Sequence, residues 1–445
     1  MFYSRVEILS HKGINLTRDY KNFHNGIKPM RAHLFSKIVV CVFSWALIAH
    51  VSCHAAVFTY PAACYTGDEL AAVRVWEKTW ADHKITPGNV EEIKRFLPES
   101  LYNLMKDDSH WGKSWFMIAP YRQILPTPGN IACTQKYHGL SKLDQSGEIL
   151  NYVSGVPFPD TKNATEMVHN FRTRSPDDSY RSSEIGYIAD GKLKYDMSLE
   201  IHNSLLFFSG RTDKPPVPEL SDNKAQIWRA FSMLQIQPPE TRNLRILEVH
   251  YKDRMKAYDS WIWNPTIRRV RRRSTSERQD AQGGADFCGF DNMGWDGPVS
   301  LNTYRYLGTQ ELLLARHNDA ARLDHTRGEC LWSGVQRERI KVHVIEAVNN
   351  DPNFLYSKMI WYLDPETWQI LYSDRFDREG KLWKVLDQFG FVTKGYGETD
   401  VNYFSANQMI DVQRTHSTLA TGKYEFGIDL PQSMFKIEYL QKYGY

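Results

Sequence analysis

Apolar positions recur along this chain with two different periods, and the change between them outlines its architecture. In Thr66–Trp80, Leu70, Val73, Trp76 and Trp80 return every three or four residues behind the acidic pair Asp68 and Glu69, which predicts an amphipathic helix. A second helical stretch, Val90–Met105, is interrupted at Pro98; Trp111–Ile118 then alternates like a strand, and Pro120, Pro126 and Pro128 break the pattern. Thr165–Arg172 predicts a further helix.

From about Ile185 the period becomes two, and turn signals separate short apolar runs. Asp190-Gly191 predicts a tight hairpin, Leu205–Ser209 and Leu244–Tyr251 read as strands, and Asp222–Leu234 reads as a helix. Two stretches echo each other: Trp263-Asn-Pro-Thr-Ile-Arg-Arg-Val and Leu363-Asp-Pro-Glu-Thr-Trp-Gln-Ile are each a strand, an Asn/Asp-Pro turn and a returning strand. Tyr304–Leu307, Ile340–Val348, Tyr356–Leu363, Gln369–Phe376 and Lys381–Phe389 supply more strands, and Ile410–Tyr445 one more strand pair with a short helix near Pro431–Phe435. Closely spaced hairpins without intervening helices exclude a parallel doubly wound sheet and predict an α+β fold built on a curved antiparallel sheet. The expected organisation is a leader over 1–55, a helical segment over 56–160 packing on the sheet, and a sheet domain over 161–445.

The leader changes how charge is interpreted. Lys28, Arg31 and Lys37 precede the apolar run Ile38–Ala49, and Cys53-His-Ala55 offers small residues for cleavage, so the expectation is a secretory signal peptide cut near Ala55. Met30 is an alternative start to Met1, and Cys53 a weaker alternative as a lipid-anchoring cysteine. Without 1–55, the 55 basic and 52 acidic residues become 48 and 50, a formal charge of −2 instead of +3. That argues against a nucleic-acid partner, which needs a basic footprint. Cys64, Cys133, Cys288 and Cys330 remain; they lack metal-ligand spacing, and Cys288 with Cys330 is the expected disulfide if one forms.

The chain carries no G-x-S-x-G, H-E-x-x-H, Walker or G-x-G-x-x-G motif, so neither a catalytic residue, a metal ligand nor a cofactor site is assigned. Asp286–Gly297, rich in Asp and Gly, fails the spacing of a calcium loop and reads as a plain loop. Asp259–Ser274 is the most unusual stretch: Trp261 and Trp263 precede an Asn-Pro turn, followed by five arginines within six residues. Strand parity splits these, with Arg269, Arg271 and Arg273 on one face and Arg268 and Arg272 on the other. The favoured expectation is cross-strand pairing with carboxylates such as Asp374, Asp377 or Glu379. The sharper one makes Trp261, Trp263, Arg269, Arg271 and Arg272 a binding set, the tryptophans lining an apolar cavity and the guanidinium groups holding a phosphate or carboxylate.

In order, Gly155-Val-Pro-Phe-Pro, Phe208-Ser-Gly-Arg-Thr-Asp-Lys-Pro-Pro-Val-Pro, Trp261-Ile-Trp-Asn-Pro-Thr-Ile-Arg-Arg-Val-Arg-Arg and Trp361-Tyr-Leu-Asp-Pro-Glu-Thr-Trp-Gln-Ile-Leu-Tyr-Ser-Asp-Arg-Phe-Asp resemble the bacterial domain of unknown function 1329 family, over roughly Leu97–Phe435. The resemblance implies an exported protein of Gram-negative bacteria with a LolA/LolB/RseB-like fold: an open, half-closed β-barrel around an apolar cavity, with helices as a lid. It implies a periplasmic location, with outer-membrane association in view, and no membrane span once the leader is removed. No catalytic residue is carried over by it. The functional expectation is a non-enzymatic holder of a lipid, lipoprotein acyl chain or other hydrophobic ligand serving envelope export. The alternatives are a module that contacts an envelope protein partner and, third, a lipid or ester hydrolase.

Overall fold

The computed structural model describes residues 60–442 except 108–110, 112, 191, 193, 255, 275, 282 and 325–329. The expected signal peptide, cleavage site and alternative start therefore lie outside the described residues. The helices are α1 (Gly67–Trp80), α2 (Glu99–Lys106), α3 (Pro128–Tyr137), α4 (Ala164–Thr173) and α5 (Ile437–Lys442). The early strands are β1 (Lys84–Ile85), β2 (Phe116–Ala119), β3 (Lys142–Leu143), β4 (Ile149–Leu150), β5 (Ser179–Asp190), β6 (Lys194–Phe207), β7 (Ile227–Gln237), β8 (Arg245–Tyr251), β9 (Asp259–Asn264) and β10 (Arg269–Arg272). The later ones are β11 (Asn302–Leu314), β12 (Val335–Asn349), β13 (Lys358–Leu363), β14 (Ile370–Phe376), β15 (Leu382–Lys394), β16 (Asp400–Asp411) and β17 (His416–Phe426).

Fifteen of these strands form one open sheet, in the order β1-β2-β12-β13-β14-β15-β16-β17-β5-β6-β7-β8-β9-β10, with β11 pairing the other side of β12. Neighbours run antiparallel with one departure from expectation: β2 lies parallel to β12, Phe116 opposite Val335. Both Asn/Asp-Pro stretches form the expected hairpins, β9–β10 and β13–β14. At the first, Asn264 Oδ1 accepts from the Thr266 amide at 2.9 Å and Arg268 takes a left-handed φ of 49° to bring the chain back.

Asp222–Leu234, expected as a helix, is largely taken up by β7. Ile227, Ala230, Phe231 and Leu234 have helical spacing, but the segment lies between β6 and β8 and hydrogen-bonds to both, and that two-sided pairing overrides local preference.

Both faces of the sheet are covered. On β12, Ile340, Val342 and Val344 enter one core with Val73 of α1, Ile93, Leu101 and Leu104, while Ile345 and Ala347 enter another with Met167, Val168 and Phe171 of α4 and with Phe290 and Trp295. The alternation of a strand thus separates a face under the N-terminal helices from a face under α4 and the Asp/Gly-rich segment. At the β6–β9 end, Leu206, Leu247 and Trp263 pack against Phe435 and Leu440 near and within α5. The expected Cys288–Cys330 bond is absent: both are free thiols, and they sit in different cores. Among the described residues no helix is long and apolar enough to cross a membrane.

Under α2, Asp374 accepts hydrogen bonds from Ser100 Oγ at 2.5 Å and, at 3.4 Å, from Tyr362 Oη, and among the described residues no cation pairs with it. Burial pushes its carboxyl up to about 6, opposed by these two hydrogen bonds. A native value above the unfolded one means that the folded state holds the proton more tightly, so this group's stabilisation is present at low pH and is lost as pH rises from about 4 to about 6. Asp374→Asn is expected to remove about 3 kcal/mol of pH dependence over that window, read from urea melts of wild type and variant at pH 4 and pH 6.5. Parallel pH profiles would contradict the assignment.

Candidate functional site

Strand register builds the most polar region of the interior. Arg229 on β7 lies opposite His250 on β8, and Glu248 on β8 opposite Ser260 on β9, so these side chains share one face of the sheet. Leu247 and Val249, on the other parity, point to the core under α5. Onto the polar face comes Asp296, delivered by the segment Asp286–Gly297, while α4 contributes His169, Arg172 and Thr173 from above. The start of α4 is fixed by Asn163, whose side chain accepts from the Glu166 amide at 3.0 Å, while Glu166 accepts from the Lys162 amide at 2.5 Å.

Asp296 is the centre of an ion cluster. Its Oδ1 accepts from Arg172 at 2.7 Å and from Arg229; its Oδ2 accepts from Arg278 at 3.0 Å, and His250 Nε2 lies 3.7 Å away. Burial alone would raise the Asp296 carboxyl, but the charges of Arg229, Arg172 and Arg278 hold it well below the usual carboxylate range. Burial, assisted by the arginines, drives His250 well below its ordinary value, so its imidazole is neutral. Glu248 completes the cluster, with Arg278 at 3.4 Å and Arg273 at 3.9 Å.

Beside this cluster lies a cavity of about 220 Å3. Its wall is part aromatic and apolar (Trp228, Tyr258, Val299) and part charged (Arg172, Arg254, Lys256). The Arg254 guanidinium carbon sits 3.4 Å from the Trp228 ring centroid, a cation placed on a fully buried indole. Burial and the neighbouring Arg172 lower Arg254 to about 9. His169, whose Nε2 is 2.8 Å from the Gly147 carbonyl, is lowered by burial to about 4.

Glu248, His250 and Asp296 bring one ligand atom each within 4.8 Å of one another, as a metal site would. Their charge is already matched by Arg172, Arg229 and Arg278, so a divalent ion there would meet guanidinium groups. A second such set, Cys64, Asp364 and Glu366, encloses Arg316, which lies 3.3 Å from Asp364 and 3.6 Å from the Cys64 sulfur and also pairs with Glu366. Glu366 further accepts from the amides of Cys64 and Ile124, both at 2.8 Å. This is a structural tie between the N-terminal segment and the β13–β14 turn.

None of Trp261, Trp263, Arg269, Arg271 and Arg272 is among the residues that line the cavity. Trp263 is buried in the core under α5 and Trp261 packs against it. Arg269 is exposed; Arg271 pairs with Glu277 at 2.7 Å and Arg272 with Asp259, both at the surface. Of these, Arg272 pairs across strands, with Asp259 on β9, whereas Arg271 pairs with Glu277 just after its own strand, and neither partner is Asp374, Asp377 or Glu379. Those lie on or just after β14, with eight strands between it and β10 in the sheet order. Exposed pairs of this kind contribute about 0.2–1 kcal/mol, so Arg271→Ala and Arg272→Ala are each expected to lower unfolding free energy by less than about 1 kcal/mol in denaturant melts. A larger loss would assign them a role beyond these pairs.

The fold and site define a class: an open β-sheet, covered on both faces, that encloses a small charged cavity beneath a helix and a loop. The chain belongs to the family described as proteins of unknown function, DUF1329, whose model matches residues 84–440. It is similar to an uncharacterized protein of Pseudomonas aeruginosa, at 22% identity over 361 residues, 74% of this chain and 70% of the relative. Among solved structures it is similar to a domain described as that of an outer membrane lipoprotein-sorting protein from Vibrio parahaemolyticus, at 15% identity and a TM-score of 0.44, covering 62% of this chain and 97% of that one. A DUF1329 family protein from Desulfovibrio piger gives 14% identity, the same TM-score of 0.44, and coverage of 62% and 97%.

Proposed function

We propose that this protein is a non-enzymatic binding protein of the bacterial cell envelope, periplasmic after export, that holds part of a hydrophobic or amphipathic ligand between its sheet and the covering α4 and Asp286–Gly297 segment. The observation that carries this is the cavity of about 220 Å3 walled by β7, β8, α4 and the 296–300 segment. Small-molecule sites are concave and combine apolar and aromatic walls with a few placed polar groups, as this cavity does. Its volume lies below the roughly 300–1,000 Å3 of sites that engulf drug-sized ligands, so it takes the end of a molecule or a short chain. Each methylene buried there contributes about 0.8 kcal/mol. A lipid or a lipoprotein acyl chain is the ligand class this suits, and service to an envelope export system is the role.

Native mass spectrometry of the purified chain, with displacement of a fluorescent fatty acid probe, tests the reading. Co-purified apolar ligand and saturable displacement are expected. Empty protein that displaces nothing, together with crosslinked envelope partners, would instead favour an interaction module.

A further inference from the structure

The inference concerns the charge around the cavity, and it rests on the binding reading above. Five guanidinium groups, those of Arg172, Arg229, Arg254, Arg273 and Arg278, meet four carboxylates, those of Glu148, Glu248, Asp296 and the exposed Asp253. The two histidines at the site add none of the missing negative charge. Of the buried carboxylates, both oxygens of Asp296 and Oε1 of Glu248 are taken by arginines, and Oε1 of Glu148 by the Ser300 amide at 3.2 Å. Among the described residues no carboxylate forms an ion pair with Arg254; Glu148 is near enough only to raise its pKa slightly against burial and the repulsion of Arg172 and Arg229. At the mouth stands a second cation, Lys256, exposed, with its ammonium 3.2 Å from the Tyr251 ring centroid.

A guanidinium that is partly buried, stacked on an indole and short of an acid is a costly arrangement unless an anion completes it. An arginine fork matches a carboxylate or phosphate in two parallel hydrogen bonds, and the indole beneath it holds the fork in place. The same excess of positive charge works against a metal cation at Glu248, His250 and Asp296.

We propose that the cavity binds the anionic head, carboxylate or phosphate, of an amphipathic molecule, with Arg254 as the principal contact and Arg172 and Lys256 beside it. The apolar body begins against Trp228, Tyr258 and Val299 and leaves through the mouth once the cavity is filled. Affinity therefore rises about fourfold per methylene for short chains and then levels off. Because Lys256 is open to solvent, added salt weakens binding.

The test uses calorimetric titration of the mature chain with octanoate, octyl phosphate and octanol at low salt. Either anion is expected to bind at least tenfold more tightly than octanol, and which anion leads identifies the head. Arg254→Gln should remove that preference, weakening the anions about tenfold more than it weakens octanol, and Arg254→Lys should restore part of it. Octanol binding as tightly as both anions to the wild-type protein would overturn the anionic-head site while leaving a hydrophobic binding function standing. That comparison holds even if the variants fold poorly. Absence of binding by all three, together with failure to displace the fatty acid probe, would remove both.

Discussion

Asp296→Ala is expected to lower the unfolding free energy by about 3–5 kcal/mol, because it strips the shared carboxylate from three buried arginines and leaves them facing one another. Removing a partner from a buried ion cluster costs far more than the cluster contributes relative to an apolar replacement, since the cost is that of uncompensated charge. Asp296→Asn should lose less, as it keeps the shape and one acceptor. The wild-type pH dependence has a definite sign. A carboxyl held below its unfolded value stabilises the fold above the ordinary carboxylate range, and that contribution is lost only as pH falls through the depressed native value. Guanidinium melts of wild type and both variants at pH 7, with an acid titration of the wild type, measure these effects. A loss below about 1 kcal/mol for the alanine variant would mean that the arginines are solvated.

The second large effect is expected from Arg316→Met. Arg316 is fully buried between Asp364 and Glu366, and its neighbours raise its pKa above the ordinary arginine value despite burial. Methionine fills much of the volume but leaves two buried carboxylates unmatched, for a loss of about 3–5 kcal/mol. The variant should release the segment that Glu366 holds through the Cys64 and Ile124 amides. Faster deuterium uptake at those amides, with the β5–β8 region unchanged, would report it. If the double variant Arg316→Met, Glu366→Gln is no more stable than the single one, repulsion between the carboxylates is not the cause.

The hairpins and amphipathic helices were legible in the sequence because their signals are local. Asn264-Pro265 and Asp364-Pro365 mark turns by backbone chemistry, and α1 is marked by apolar spacing behind Asp68 and Glu69. The motif Arg211-Thr-Asp-Lys-Pro-Pro carries its own explanation once folded. Arg211 donates to the carbonyls of Phe207, Lys214 and Pro216, at 2.8, 2.6 and 2.8 Å, and Asp178 accepts from the amides of Thr212, Asp213 and Lys214. Segment β7 was misread because its apolar spacing suits a helix as well as a buried strand, and only its neighbours decide.

The site was not legible for a different reason. Five arginines within six residues draw the eye, yet Arg269, Arg271 and Arg272 face solvent, and Arg273 is the member of the run that reaches the cluster, 3.9 Å from Glu248. The other arginines that converge inside, at 172, 229, 254 and 278, come from four separate segments. The one available signal was Asp286–Gly297, a loop with three aspartates that all find partners: Asp286 with His416 at 2.9 Å, Asp291 with Arg375, and Asp296 with the arginine cluster. Acidic residues in a loop with Phe290 and Trp295 between them signal a segment bound for the interior.

Strand β17 joins two halves of the sheet: it pairs with β16 on one side and with β5 on the other, His416 opposite Asp190. The strands β5–β10 and β12–β16 precede it in the chain, so during synthesis each half forms its hairpins with an unsealed edge until the last part of the polypeptide arrives. Nearly the whole chain must therefore be made before the two edges can be sealed, and this pairing is one of the long-range closures, with β2 on β12, whose chain entropy slows assembly.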